Sequence, residues 1–132
     1  MIKVLVVDDH DLVRTGITRM LGDQEGIRVV GQADCGEEAV RLARELSPDV
    51  VLIDVESPSR DTLEELALAS GPLDRPVAMF VDRSEEQMVT AAIKAGLSAY
   101  VVDGLRKERV KPVMDAAIAI ARPYAAIVLD EA

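Results

Sequence analysis

Five aspartates close short apolar runs in this chain, and their placement suggests one kind of chemistry. Asp8 and Asp9 follow the run 4–7, and Asp54 follows 50–53. Asp82 and Asp103 stand after the later runs 77–81 and 98–102. In an open α/β sheet, sites form outside the carboxyl ends of the strands. If the first and third runs are neighbouring strands, Asp8, Asp9 and Asp54 converge in one pocket. Two such charges about 5 Å apart cost roughly 3 kcal/mol at an effective dielectric near 20. A divalent cation removes that cost, and oxygen ligands with room for water suit Mg²⁺. A carboxylate beside the ion can also attack a phosphoryl group as a nucleophile. Solvation of a strand end is the plainer reading of any single acid. Three acids at adjacent strand ends favour the pocket.

The elements that must carry these acids are visible as changes of period. Residues 2–7, 27–33, 50–53, 77–81 and 98–102 are short, β-branched-rich runs, predicted as five strands. Between them, apolar residues recur at helical spacing. Leu12, Val13, Ile17, Met20 and Leu21 mark a first helix that Gly22 should stop. Ala39, Val40, Leu42, Ala43 and Leu46 mark a second, and residues 62–69 a third before the Gly71-Pro72 turn signal. Ser84 with Gln87 is a capping-box pair that opens a fourth helix ending at Gly96. Residues 106–121 form a fifth helical stretch, where Pro112 predicts a late start or a kink. Residues 127–129 are a last short apolar run without an evident role. Strands alternating with helices over short connections predict a parallel sheet covered on both faces.

Composition narrows the function. The chain has 132 residues, 24 acids against 15 Lys plus Arg, and a formal net charge of -9. That length suits one domain burying roughly two-thirds of its unfolded surface. Phe80, Tyr100 and Tyr124 are the only aromatic residues, so an aliphatic core is required, as parallel sheets have. The acidic balance argues against direct nucleic-acid binding, which needs a basic face. The run 4–7 is too short to span a bilayer and ends in acids, so neither a membrane span nor a signal peptide is expected. A single cysteine, Cys35, makes an intramolecular disulfide impossible, and a cytoplasmic location is the default expectation.

At this point specific motifs matter. Val-Leu-Val-Val-Asp8-Asp9-His10, Asp49-Val-Val-Leu-Ile-Asp54 and Gly96-Leu-Ser-Ala-Tyr100 resemble the hallmarks of response-regulator receiver domains. The resemblance covers residues 1 to about 122 and leaves 123–132 as a tail with no output domain. It implies a doubly wound, CheY-like α/β fold with five parallel strands in the order 2-1-3-4-5. It implies that Asp54 is the phosphoacceptor, that Asp9 binds Mg²⁺ directly, and that Asp8 binds it through water. The backbone carbonyl of Glu56 would be the remaining protein ligand. A sensor histidine kinase or sensor protein would be the partner. A docking or homodimer face would lie on the fourth and fifth helices, next to the basic stretch 106–111.

Two positions depart from the family pattern. Val81 stands where Thr or Ser is usual, and Asp103 where Lys is usual. Val81 offers no hydrogen bond to a phosphoryl oxygen, and Asp103 inverts the charge beside it. Tyr100 keeps the aromatic switch position without its hydroxyl partner. The likeness also changes along the chain. Residues 1 to about 53 resemble receivers with helix-turn-helix (LuxR-type) outputs. Asp54-Val-Glu-Ser-Pro-Ser-Arg, Ala78-Met-Phe-Val-Asp-Arg-Ser and Ser98-Ala-Tyr-Val-Val-Asp-Gly-Leu-Arg resemble receivers of ANTAR-type transcription antiterminators. That change implies a chimera with its seam near residues 51–54, the alternative being a natural divergent receiver.

Other candidates carry plainer readings. His10 reads as a helix-start residue over the pocket, with no Cys or second His to complete a zinc site. Cys35 reads as a weak cap or buried thiol, with no cationic cluster to activate it. Three functions therefore stand open. The first is an isolated receiver, phosphorylated on Asp54 with Mg²⁺ and turning over at most once per event. The second is a pseudo-receiver acting through protein contacts. The third is a Mg²⁺-dependent hydrolase, suggested by a faint likeness of Asp54-Val55-Glu56 to haloacid-dehalogenase-type phosphatases.

Overall fold

A computed structural model describes residues 1–34, 36–55, 76–82, 86–94, 99–102, 105–119 and 127–129. The strands are β1 (Ile2–Val7), β2 (Ile27–Ala33), β3 (Val50–Val55), β4 (Val77–Val81), β5 (Ala99–Val102) and β6 (Ile127–Leu129). The described helices are α1 (Asp11–Gly22), α2 (Gly36–Leu46), α3 (Glu86–Lys94) and α4 (Lys107–Ala119). Thus α3 and α4 are the helices predicted fourth and fifth. The helix predicted over 62–69 and the residue Cys35 lie outside the described residues.

All strand pairs are parallel, in the order β2-β1-β3-β4-β5-β6. The predicted order of five strands holds, with one correction. The run 127–129, left without a role by the sequence, pairs with β5 as a sixth strand. β5 is four apolar residues, and its outer edge would otherwise leave backbone donors and acceptors unpaired.

Side-chain alternation divides the core into two layers. On one face, Val4, Val6, Val50, Leu52, Ala78, Phe80, Ala99 and Val101 pack against Ile17 and Leu21 of α1 and Val110, Val113, Met114 and Ala117 of α4. On the other, Leu5, Val7, Val51, Ile53, Val77, Met79, Val81 and Tyr100 meet Ala39 and Ala43 of α2, with Val89 and Ala91 of α3 beside them. The near-continuous apolar strands follow from this, because both faces are covered.

Helix ends differ from expectation in informative ways. Gly22 is the last helical residue rather than a stop, and the chain leaves the helix at Asp23. Leu12 and Val13 fit the helical spacing yet are exposed (89% and 46%), while Ile17 and Leu21 are buried. Helix α4 continues through Pro112. Its start is held by backbone N–H groups of Arg109 and Val110 donating to the Arg106 carbonyl, so the proline removes one bond without ending the helix.

The β1–β3 register is clamped at its start. The Lys3 N–H donates to Asp49 Oδ2 at 2.8 Å, and the Asp49 N–H donates to the Lys3 carbonyl at 2.8 Å. From there Val4 faces Val50 and Val7 faces Ile53.

Leu52 lies in the central strand and is wholly buried. Leu52→Ala should lower unfolding stability by about 2–5 kcal/mol in urea titration. A loss under about 1 kcal/mol would mean that the two-layer core is not packed as described.

Candidate functional site: an acid cluster at the strand ends

Carrying the β1–β3 register one residue further brings Asp8 and Asp54 side by side. Each follows a residue of the α2/α3 layer, Val7 or Ile53, so alternation turns both acids toward the opposite side. Asp82 follows Val81, of that same layer, and shares this parity. The three acids therefore converge for a geometric reason.

Asp8 is buried at 3% exposure, whereas Asp9 and His10 are exposed. The His10 backbone N–H donates to Asp8 Oδ1 at 2.9 Å. The His10 ring nitrogen Nδ1 lies 2.8 Å from Asp9 Oδ1 and 3.7 Å from Asp8 Oδ1. One ligand atom from each of Asp8, Asp9 and His10 falls within 4.8 Å of the others. His10 occupies the N-cap position of α1 without a side-chain cap bond, which matches its reading as a helix-start residue.

Asp54 is half-buried, and its carboxyl is pushed up to about 7 from an ordinary 3.8. Burial is the largest cause, followed by the charge of Asp8, a hydrogen bond with the Asp8 side chain, and the charge of Asp82. A carboxylate pair holding a proton between its members is what repulsion in a partly buried site produces. The same donor set fits a divalent cation, which can replace that proton with hard oxygen ligands already gathered.

Two participants were not singled out by sequence reasoning. Arg14 donates from Nη1 to the Asp8 backbone carbonyl at 2.7 Å and from Nη2 to Asp11 Oδ1 at 2.6 Å. Its side chain is only 17% exposed, and it ties the first turn of α1 to the end of β1. The i,i+3 spacing of Asp11 and Arg14 was the available signal. Asp82, noted only as a strand-end acid, acts on Asp54 through its charge.

The structure places Val81 at 0% exposure inside the same apolar cluster as the wholly buried Tyr100. Glu56 and Asp103 lie outside the described residues.

A parallel sheet wound on both faces, with acids gathered at the carboxyl ends of β1 and β3, defines the receiver class of signalling domain. A family model for the response regulator receiver domain matches residues 4–114, and the chain belongs to that family. It is similar to response regulator GacA of Pseudomonas aeruginosa, 56% identical over 106 residues, covering 79% of this chain and 49% of that protein. Response regulator UvrY of Escherichia coli is 40% identical over 111 residues, covering 83% of this chain and 51% of that protein. The signal receiver domain of the putative response regulator NarL from Mycobacterium tuberculosis superposes with a TM-score of 0.76. It is 31% identical, over 90% of this chain and 98% of that one.

The chain thus spans about half the length of the curated relatives it matches. The 106 residues aligned with GacA exceed the length of the chain on either side of residues 51–54. One relative therefore covers both sides, and the inferred seam gains no support. Among the described residues, no helix is long and apolar enough to cross a membrane.

The raised Asp54 pKa has a defined consequence for stability. The folded state holds a proton between about pH 4 and 7 that the unfolded chain has released. Unfolding free energy should therefore fall as pH rises through that window and level off above it. Asp54→Asn should flatten this slope and stabilise the metal-free protein above pH 7 by about 1–2 kcal/mol, after allowance for solvent screening. Urea titrations of both proteins from pH 4 to 8 check this. Parallel profiles would contradict the raised value.

Proposed function

We propose that this receiver accepts a phosphoryl group on Asp54 from a sensor histidine kinase or a small phosphodonor, with Mg²⁺ bound. The reading is carried by the placement of Asp54 beside buried Asp8 at the sheet edge. Asp8, Asp9 and Asp54 would hold the ion, with the Glu56 backbone carbonyl. When bound, Mg²⁺ neutralises the clustered charge and polarises the phosphoryl oxygens.

The remaining work falls to the chain itself. The ionised Asp54 carboxylate is the nucleophile. One oxygen forms the new bond to phosphorus while the donor's bond to phosphorus breaks, and the donor leaves with that electron pair. A proton held between Asp54 and Asp8 opposes this step, so the reactive fraction of metal-free protein rises through pH 7. The His10 backbone N–H keeps Asp8 oriented, and Arg14 anchors the turn beneath it. The modification is stoichiometric, one phosphoryl group per chain, rather than catalytic turnover of substrate.

A second reading is favoured by Val81. Its burial among apolar side chains leaves no hydroxyl at the strand end to couple a phosphoryl group to Tyr100. Asp103, if near the site, would add charge of the wrong sign. On that reading the acid pocket is a relic, and the domain signals through protein contacts, including the face carried by α3 and α4.

Incubation with acetyl phosphate and Mg²⁺, followed by intact-mass analysis, separates the two. The mass should rise by one phosphoryl group, and Asp54→Asn should abolish the gain. An unmodified wild-type chain would favour the pseudo-receiver. Millimolar Mg²⁺ should also raise the thermal midpoint by mass action, and Asp8→Asn should remove the effect. A midpoint indifferent to Mg²⁺ would count against a formed pocket.

A further inference from the structure

The end of β1 offers a nitrogen as well as oxygens. Asp8 is buried at 3% exposure, yet among the described residues no Lys or Arg pairs with its carboxylate. The Arg14 guanidinium goes instead to the Asp8 backbone carbonyl and to Asp11. What approaches the buried carboxylate is the ring of His10, the one histidine of the chain. Its Nδ1 stands 3.7 Å from Asp8 Oδ1 and 2.8 Å from Asp9 Oδ1.

Those separations suit a shared ion. Zn²⁺ holds imidazole nitrogen and carboxylate oxygen at about 2.0–2.2 Å, which sets neighbouring ligand atoms about 2.8–3.6 Å apart at tetrahedral or octahedral angles. One ligand atom from each of Asp8, Asp9 and His10 already lies within 4.8 Å of the others, so small side-chain rotations close the set. A closed zinc site would need a second His or a Cys, but an open one takes three protein ligands and water, and carboxylates serve. The His10 ring is free for this role, because it makes no cap bond at the start of α1. Its backbone N–H, bonded to Asp8 Oδ1 at 2.9 Å, holds the residue over the pocket.

The nitrogen changes which ion is preferred. Mg²⁺ is hard and keeps oxygen ligands and water. Imidazole suits late first-row ions, which bind mixed nitrogen and oxygen sites more tightly. We propose that His10 Nδ1, Asp8 and Asp9 together form a site for a late first-row transition ion such as Zn²⁺, at the same two acids that would hold Mg²⁺. The inference rests on the cation pocket proposed above and adds a ligand to it. Transition-metal supply then becomes an input to the domain beside phosphorylation.

An ion pair is the other account of the His10–Asp9 contact, and it has the opposite sign. A ring that only neutralises Asp9 repels an incoming cation, so its removal should tighten the binding of every divalent ion. Isothermal titration calorimetry with Zn²⁺ alone or Mg²⁺ alone separates the two accounts. It is done on the untagged Cys35→Ser chain, which lacks the one thiol that would also take Zn²⁺. His10→Ala keeps the backbone N–H and should weaken Zn²⁺ binding by more than about tenfold, since losing even an outer partner of a metal ligand costs that much. Mg²⁺ binding should be unchanged by His10→Ala, and Asp8→Asn should weaken both ions.

Nitrogen-15 NMR of the single histidine ring reads ligation directly. Saturating Zn²⁺ should move Nδ1 to the range of a metal-bound nitrogen, and Mg²⁺ should not. Equal or tighter Zn²⁺ binding by His10→Ala, or an unmoved Nδ1, would overturn the inference. Mg²⁺ binding that is still lost in Asp8→Asn would in that case leave the pocket itself standing. A wild-type chain that binds neither ion would overturn both.

Discussion

The parallel register of β1 against β3 is the constraint from which the site follows. Its start is pinned by the reciprocal bonds between Lys3 and Asp49. Four residue pairs later it brings Asp8 and Asp54 alongside one another at the sheet edge. A slip of one residue would turn every side chain of β1 to the wrong layer and separate the two acids. The clamp and the apolar alternation therefore act together, and the carboxylate pair is a by-product of correct core packing.

That pair is unfavourable by itself. Burial and the neighbouring charges hold the Asp54 carboxyl at about 7, so that without a cation the pair keeps a proton that limits its repulsion. The fold stores this unfavourable arrangement and tolerates it because a large apolar core lies behind it. Leu5, Leu52, Met79, Phe80 and Tyr100 are all wholly buried. A site poised this way responds strongly to anything that brings positive charge. The response is the useful property of a signalling domain.

Much of this was legible in the sequence because parallel sheets advertise themselves. Strands buried on both faces read as continuous apolar runs, and acids at their ends stand out. The parallel sheet and the acids at its strand ends followed from that pattern, whereas the order of five strands, and with it the meeting of Asp8 with Asp54, came from the resemblance to receiver domains. Other features depend on information that a single chain does not display. Arg14 looks like an ordinary helix-surface residue until its reach to the Asp8 carbonyl is seen. The influence of Asp82 requires knowing that β4 lies beside β3. Leu12 and Val13 obey the helical period but stand in the first turn of α1, exposed to solvent. The run 127–129 is too short to declare a strand, and only the bare edge of β5 gives it a place.

The state of the Asp54 carboxyl is the most direct measure of the site. Carbon-13 NMR of selectively labelled aspartate side chains, titrated with and without Mg²⁺, reads it without reference to stability or turnover. The Asp54 carboxyl carbon, assigned by its loss in Asp54→Asn, should titrate near pH 7 in the metal-free protein and at distinctly lower pH with Mg²⁺ present. Titration close to the ordinary 3.8, unmoved by Mg²⁺, would show that Asp8 and Asp54 do not form the coupled, cation-ready pair described.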